Sequence, residues 1–450
     1  MDGTGERGMD IQGLSHEELD ALRRKQALLW LPAGHDPADD GRDLPLDPAE
    51  AHARFDRCAG LLARVFPELR DAGGRLSSPL TPIPGLQRRL SPAGEPGALA
   101  DGTWFLKRDD ALPVAGSVKA RGGFHEALAL AERLALEAGL LNARDDRVLL
   151  AQPEARAWLG RHSVSVGSTG NLGLAIGLIG IGLGFQAVVH MSADAKAWKK
   201  DRLRGRGITV VEHAGDYAAA VAAGRDAALA DPLAHFVDDE RSEDLFLGYT
   251  TAARELVDQL QAAGRPVDAG HPLFVYLPCG VGGAPGGIAY GLKRLLGPHV
   301  HCFFAEPTAS PCMLVQLAAG THTPVSVHAV GLDNRTEADG LAVGEASPLV
   351  APLMARLLAG VFTVEDDTLF RDAYALEQAD DIAIEPSAAA GLRGPRWLLG
   401  SARGRRYLQR HNLTPLAEQA THVIWSTGGS LVPEDIRAQF RARGQALAAA

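Results

Sequence analysis

The stretch "FVYLPCGVGGAPGGIAYGLKRLL", residues 274–296, decides the fold. An apolar run of strand length ends at Pro278. Glycines follow at 280, 282, 283, 286 and 287, and an amphipathic helical pattern then begins. Strand, glycine turn and helix in that order make the repeating unit of a parallel α/β sheet. Working outward, the same alternation recurs. Short apolar runs stand at "TWFLKRD" (103–109), "HSVSVGS" (162–168), "AVVHM" (187–191), "ITVVEH" (208–213), "HCFFAEP" (301–307) and "THVIWST" (421–427). Helical periods lie between them, one with Phe124, Leu128, Ala131 and Ala135 on a single face. The expectation is an α/β protein with two lobes.

Composition narrows the function classes. The chain has 450 residues, with 55 acidic against 45 basic side chains and a formal charge of −10. That balance argues against nucleic acid or an anionic membrane as partner, since both need a basic footprint. Cys58, Cys279, Cys302 and Cys312 show no paired spacing, which suits a reducing cytoplasm. Residues 172–189, "LGLAIGLIGIGLGFQAVV", imitate a membrane span, but five glycines interrupt them. A buried helix running into a buried strand explains the same hydropathy.

The first 75 residues read as a separate helical extension. Ser15 and Glu18 form a capping-box start, and "GHDPADDGRD" (34–43) reads as a polar linker. The Pro-rich "SSPLTPIPGLQ" (77–87) reads as an extended lead-in, and the tail "RARGQALAAA" (441–450) as frayed.

Three strand ends carry candidate chemistry, because backbone N–H groups converge where a helix begins. The 280–287 loop suits a phosphate. The turn Ser168-Thr169-Gly170-Asn171 suits a carboxylate, although Ser and Asn are also ordinary N-caps. The third is "HVIWSTGGSLVP" (422–433), where a buried strand ends in Ser426 and Thr427. A fourth feature is "LPVAGSVKARGG" (112–123), which sets Lys119 between a Gly-Ser and a Gly-Gly pair. A lysine combined with a phosphate cradle, a carboxylate pocket and a neutral hydroxyl suggests an aldehyde cofactor held as a Schiff base, as pyridoxal phosphate requires. The rival for the 280–287 loop is a dinucleotide, with Glu306 at the offset of a ribose-binding acid. The Walker pattern fails, since no Lys-Ser or Lys-Thr follows the glycines.

These stretches, with "KRDDALPVAGSVKARGG", "VHMSADAKAWKKDRLR", "DDERSEDLFLGYTTA", "CFFAEPTASPCMLV", "GLDNRTEADGLAVGEAS" and "EPSAAAG", run in order over most of the chain. The sequence thereby resembles the fold-type-II pyridoxal-phosphate enzymes, the tryptophan synthase β-subunit group, and within it the bacterial D-serine dehydratase family. The resemblance implies two open, mainly parallel twisted sheets flanked by helices, with an N-terminal helical extension (1–75). It implies a large cofactor domain (76–144 and 238–450) and a small domain (145–237) carrying the Ser-Thr-Gly-Asn loop.

Carried over, Lys119 is the Schiff-base lysine. Asn171 meets the ring hydroxyl, and Ser168, Thr169, Gly170 and Asn171 seat the substrate carboxylate, with Thr169 also counted as catalytic. Gly280, Val281, Gly282, Gly283, Gly286 and Gly287 cradle the phosphate. Thr427 meets the pyridine nitrogen, with Ser426 as the second candidate. Asp239 recognises a D-substrate, and Glu306 binds a monovalent cation such as K+. The implied activity is β-elimination of D-serine to pyruvate and ammonia, by a cytoplasmic monomer with a small-molecule amino-acid substrate. Departures from the family pattern stand at Ala284, Ser430 and Glu345.

Arg121 reads either as a phosphate ligand or as a structural ion pair. "AWKKDRLRGRG" (197–207) reads as a solvated basic face. His299, His301 and Cys302 lack any supporting metal-binding pattern. The alternatives are a dehydratase of L-serine or threonine type, a nucleotide-dependent oxidoreductase, and a silent binding relative. A visible absorption band lost on borohydride treatment separates the cofactor reading from the oxidoreductase.

Overall fold

The computed structural model describes residues 11–95, 97–168, 170–215 and 217–449. Among them eleven strands form: β1 (Leu29–Trp30), β2 (Leu80–Pro82), β3 (Thr103–Arg108), β4 (Ser163–Gly167), β5 (Gln186–Ser192), β6 (Thr209–His213), β7 (Ala234–Val237), β8 (Leu273–Pro278), β9 (Val300–Pro307), β10 (Gly360–Val364) and β11 (Thr421–Ser426). They make two sheets. One has seven strands in the order β1-β10-β9-β8-β11-β3-β2, and the other has four in the order β6-β5-β4-β7. The smaller sheet is wholly parallel. The larger is parallel except at its edges, where β1 and β2 run antiparallel to their neighbours. The two mainly parallel sheets expected from the sequence are therefore both present.

Every residue of β8, β9 and β11 is buried, as strands covered on both faces must be. That is why apolar residues predominate in them. Packing divides the chain into two compact units. The first holds the described residues up to Leu44, Leu80–Arg108, and the chain from Leu256 onward; the second holds Pro45–Pro79 and Asp109–Glu255. These boundaries differ from those expected from sequence. The 1–75 extension splits, and Lys119 belongs with the four-stranded sheet. The reason is local packing: Gly122 and Gly123 of the helix Lys119–Glu137 lie against Tyr249 and against Ala175 and Ile176.

In the first unit, the capping box forms as expected. Ser15 N–H donates to Glu18 Oε2 at 2.7 Å, and Ser15 Oγ accepts from Glu18 N at 3.2 Å. The following segment is not purely helical, because Leu29 and Trp30 pair with Phe362 and Val361 of β10. The expected lead-in at 77–87 supplies β2 and then the helix Pro84–Leu90. The tail does not fray. It ends the helix Glu434–Ala449, in which Arg443 lies 4.1 Å over the Phe370 ring and pairs with Glu337 at 2.8 Å.

In the second unit, the apolar segment 172–189 is a helix, Asn171–Leu183, followed by β5. No helix among the described residues is long and apolar enough to cross a membrane. The glycines that interrupt the segment let the helix lie close to its neighbours. A Cβ at Gly173 would sit 2.7 Å from Val189, and one at Gly180 would sit 2.7 Å from Val164.

The helix Ala49–Val65 joins this unit through one carboxylate. Glu132 accepts from Arg57 Nε (2.6 Å), Arg147 Nε (2.7 Å) and Arg54 Nε (3.0 Å). Burial works to raise its pKa, but the three guanidiniums outweigh burial and hold it near about 2. An unfolded glutamate titrates near 4.3. A depressed folded pKa stabilises fully above that value and loses the contribution as pH falls towards 2. Acid should therefore remove on the order of 2–3 kcal/mol. We expect Glu132→Gln to unfold at lower denaturant than wild type at pH 7, with the gap closing near pH 3, measured by urea titration across pH.

Candidate active site

In the first unit the candidate groups leave the C-terminal ends of three adjacent parallel strands. The glycine turn follows β8, Thr427 follows β11, and Glu306 stands at the end of β9. Ligands of open α/β sheets bind at that edge. Gly282 takes φ +113°, and the helix Gly283–Leu296 begins directly after it. The N–H groups of Gly283 and Ala284 have no acceptor within the helix, and Pro285 has no N–H to satisfy. Gly286 donates instead to Gly282 O at 2.8 Å. Ala284 is accommodated because it lies in the helix with its methyl buried.

Ser426 is fully buried and its hydroxyl has no hydrogen-bond partner, whereas Thr427 is half-buried. Gly429 packs so tightly that a Cβ would lie 2.6 Å from Glu385 N, while Ser430 beside it is exposed. Glu345 is exposed as well.

Glu306 accepts from Met313 N (2.8 Å) and Leu314 N (2.9 Å), so it caps the helix Cys312–Ala319. Burial raises its pKa to about 8 against those two bonds. His301 is a core histidine, hydrogen-bonded to the Tyr407 hydroxyl at 2.7 Å and stacked on Phe274. No group of three metal-ligating side chains stands together among the described residues.

In the second unit Lys119 opens the helix Lys119–Glu137. The turn before it holds Val114 at φ +72° and Gly116 at φ +60°. For a β-branched residue this is strain, on the order of 1–3 kcal/mol, of the kind found at functional turns. A cation at a helix N-terminus is opposed by the helix dipole, so the placement serves something other than helix stability. Lys119 Nζ lies 3.4 Å from Asp239 Oδ2 and 5.8 Å from the centre of the Tyr249 ring. The Lys119 side chain is 20% exposed and that of Asp239 11%.

The double glycine of "KARGG" has its own explanation. A Cβ at Gly122 would strike Tyr249 Cζ at 2.5 Å, and one at Gly248 would strike His125 Cβ at 2.5 Å. The two helices therefore cross at close range, and Tyr249 lies under the lysine. Asp239 Oδ1, the Tyr249 hydroxyl and the Ser117 hydroxyl are all buried without a hydrogen-bond partner. Burial, with the charges of Asp239 and Glu126, raises the Tyr249 pKa well above its ordinary value.

Asp239 follows β7 and Ser168 follows β4, which are adjacent strands. Thr169 lies outside the described residues. Ser168 Oγ accepts from Gly170 N (3.0 Å) and Gly173 N (2.9 Å), so the Gly170 N–H, expected to meet a carboxylate, already bonds within the turn. Positive charge stands beside it. A Cβ on Gly170 would lie 3.5 Å from Lys199 Nζ, and Arg202 Nη2 donates to Asn171 Oδ1 at 3.5 Å. Lys199 and Lys200 are buried, which corrects the reading of 197–207 as a solvated face.

Arg121 is no phosphate ligand. Its guanidinium, 2% exposed, grips Asp109 with two bonds of 2.7 Å and reaches Glu255 at 2.8 Å. Sequence reasoning missed Tyr249, Lys199 and Arg202, since only their distance in space from Lys119 or the turn marks them.

A family model described as "Pyridoxal-phosphate dependent enzyme" matches residues 78–406. A "Probable D-serine dehydratase" of Cupriavidus pinatubonensis is 59% identical over 441 residues, covering 97% of each chain. One of Burkholderia thailandensis is 61% identical over 426 residues, covering 94% of each. Among solved structures, diaminopropionate ammonia lyase from Escherichia coli superposes with a TM-score of 0.70 at 17% identity, covering 94% of this chain and 99% of that one. At that identity the likeness concerns the fold.

Each unit, taken by itself, offers groups of the kind that pyridoxal phosphate needs. The second unit offers an amine beside buried polar atoms that lack partners, and such orphans mark a place shaped for a further group. The first unit offers a glycine turn opening a helix, with a hydroxyl on the next strand. From these features and the near full-length match to named relatives, the chain belongs to the pyridoxal-phosphate dependent enzymes, in the family of the D-serine dehydratases.

Proposed function

We propose that this chain eliminates water from D-serine to give aminoacrylate, which takes up a water as it releases ammonia and leaves pyruvate. The observation that carries this reading is Lys119 Nζ at 3.4 Å from Asp239, in a corner that excludes most water. Lys119 would hold pyridoxal phosphate, with the turn from Gly280 to Gly287 on its phosphate, Asn171 on its ring hydroxyl and Thr427 on its ring nitrogen. The cofactor, when bound, supplies an electron-withdrawing ring that stabilises negative charge at the substrate Cα.

Lys119 in its free-amine state accepts the Cα proton at Nζ. Asp239 orients that amine through their 3.4 Å contact. Lys199 and Arg202 add positive charge to the turn at Ser168–Asn171, which supports it as the seat of the substrate carboxylate. Thr427 brings a neutral hydroxyl rather than a carboxylate. Elimination, in which the electron pair leaves with the β-hydroxyl, suits that partner better than transamination does.

Pyruvate formation from D- and L-serine, followed with a coupled dehydrogenase, tests the reading. Turnover of D-serine with at least about a hundredfold preference in kcat/KM over L-serine supports it. Faster turnover of L-serine would instead favour the L-serine or threonine type. The four cysteines are buried and free, which supports a cytoplasmic setting, and the family resemblance supports a monomer, to be checked by sedimentation. A monovalent cation at Glu306 belongs to the same reading and is tested by exchanging potassium for tetramethylammonium in the assay.

A further inference from the structure

Asp239 sits on an arch, residues 238–242, between β7 and the helix Glu243–Thr250. Both feet of the arch are tied to one side chain. Glu126 Oε1 pairs with His235 Nε2 at 3.0 Å, and Glu126 Oε2 accepts a short bond from Ser242 Oγ. Glu126 is 3% exposed. It lies two turns beyond Lys119 on the same helix face, about 10 Å away along the axis.

A second anchor is Arg225 of the helix Tyr217–Leu229, which pairs with Asp238 at 2.8 Å and with Glu240 at 3.4 Å, and the remaining bonds are local. Asp238 takes Glu240 N (3.1 Å), and its carbonyl accepts from Ser242 N (2.9 Å). Beside Glu126, His125 Nδ1 lies 2.7 Å from Asp244 O, and its Nε2 lies 2.6 Å from Arg54 Nη1. With Nδ1–H donating to the carbonyl, Nε2 is left to accept from the arginine. Asp239 itself is held less firmly than these neighbours. Asp239 has one long contact, to Lys119, and an Oδ1 without a partner.

We propose that Glu126 is a positioning residue for the elimination. By holding His235 and Ser242 together it fixes the feet of the arch, and so sets where Asp239 stands relative to the Lys119 amine. The kinetic part of this inference rests on the proposed function; the structural part does not.

The test uses the holoenzyme as wild type, Glu126→Ala, Glu126→Gln and Ser242→Ala. A misplacement of about 1 Å costs up to about a hundredfold in rate. Glu126→Ala should therefore lower kcat on D-serine by about 10- to 100-fold, with KM changed by less than about threefold. Glu126→Gln, which keeps an oxygen for one foot, should recover most of the rate, and Ser242→Ala should fall between. Amide hydrogen exchange should speed up at residues 238–242 in Glu126→Ala, while the helix Lys119–Glu137 keeps its protection.

Unchanged exchange at the arch overturns the inference whatever the rate does, and so does unchanged kcat with faster exchange. A uniform rise in exchange across the chain shows a purely structural role and overturns it as well. If the wild type makes no pyruvate from D-serine, the proposed function falls, and the exchange pattern alone then decides the positioning.

Discussion

Lys119→Ala will form pyruvate from D-serine on the order of 10⁴-fold more slowly than wild type, the scale on which enzymes lose a residue that bonds to the reacting system. The loss is specific to chemistry. The lysine side chain is one-fifth exposed, and its ion pair with Asp239 is long, at 3.4 Å. Its removal should therefore shift the unfolding midpoint little, since partly exposed pairs of this kind contribute about 0–1 kcal/mol. The cofactor-dependent visible band should be lost with the activity, while circular dichroism stays unchanged. A Lys119→Ala protein that keeps the wild-type rate would sink the assignment.

The second large effect lies two residues on and is of the opposite kind. Arg121→Met should destabilise the second unit by about 3–5 kcal/mol, because it removes the buried guanidinium that Asp109 and Glu255 share. Asp109 is fully buried and takes two guanidinium bonds of 2.7 Å along with one from Ser78 Oγ at 2.6 Å. Glu255 loses a bond of 2.8 Å and keeps the N–H of Ser78 at 2.9 Å. Arg121→Lys should rescue little, since an ammonium cannot grip a carboxylate with a fixed fork. Adding Asp109→Asn to Arg121→Met should recover part of the loss by removing a charge that the guanidinium balanced. Urea unfolding of wild type, Arg121→Met, Asp109→Asn and the double variant measures the coupling. A single Arg121→Met variant as stable as wild type would show that the network contributes nothing net.

The contrast between these neighbours shows what the sequence could and could not reveal. The buried parallel strands were legible, because β8 is a continuous apolar run before a glycine turn and β9 a mainly apolar one that ends in a proline. β1 and β2, two and three residues long, carry too little pattern to notice. β7, "AHFV", has an exposed-looking histidine in a strand whose first three residues are only half-buried. In the site, Lys119, the glycine loop and the Ser168–Asn171 turn declared themselves through local backbone chemistry. Asp239 came only from family resemblance. Tyr249, Glu126 and Lys199 came from neither, since nothing within their own segments distinguishes them from core or surface residues. The basic run at 197–207 misled for the same reason, because charge along a helix says nothing about what another segment folds over it.

A seven-stranded sheet of mainly parallel strands has two open edges, each a row of unmatched N–H and carbonyl groups that another chain could extend. Here the last strands are β1, of two residues, and β2, which ends in Pro82. Neither offers a run long enough to template a neighbour, and the proline has no N–H to give. The short antiparallel ends thus work as stops. They let the molecule keep a broad, apolar sheet under its chemistry while remaining a poor seed for aggregation.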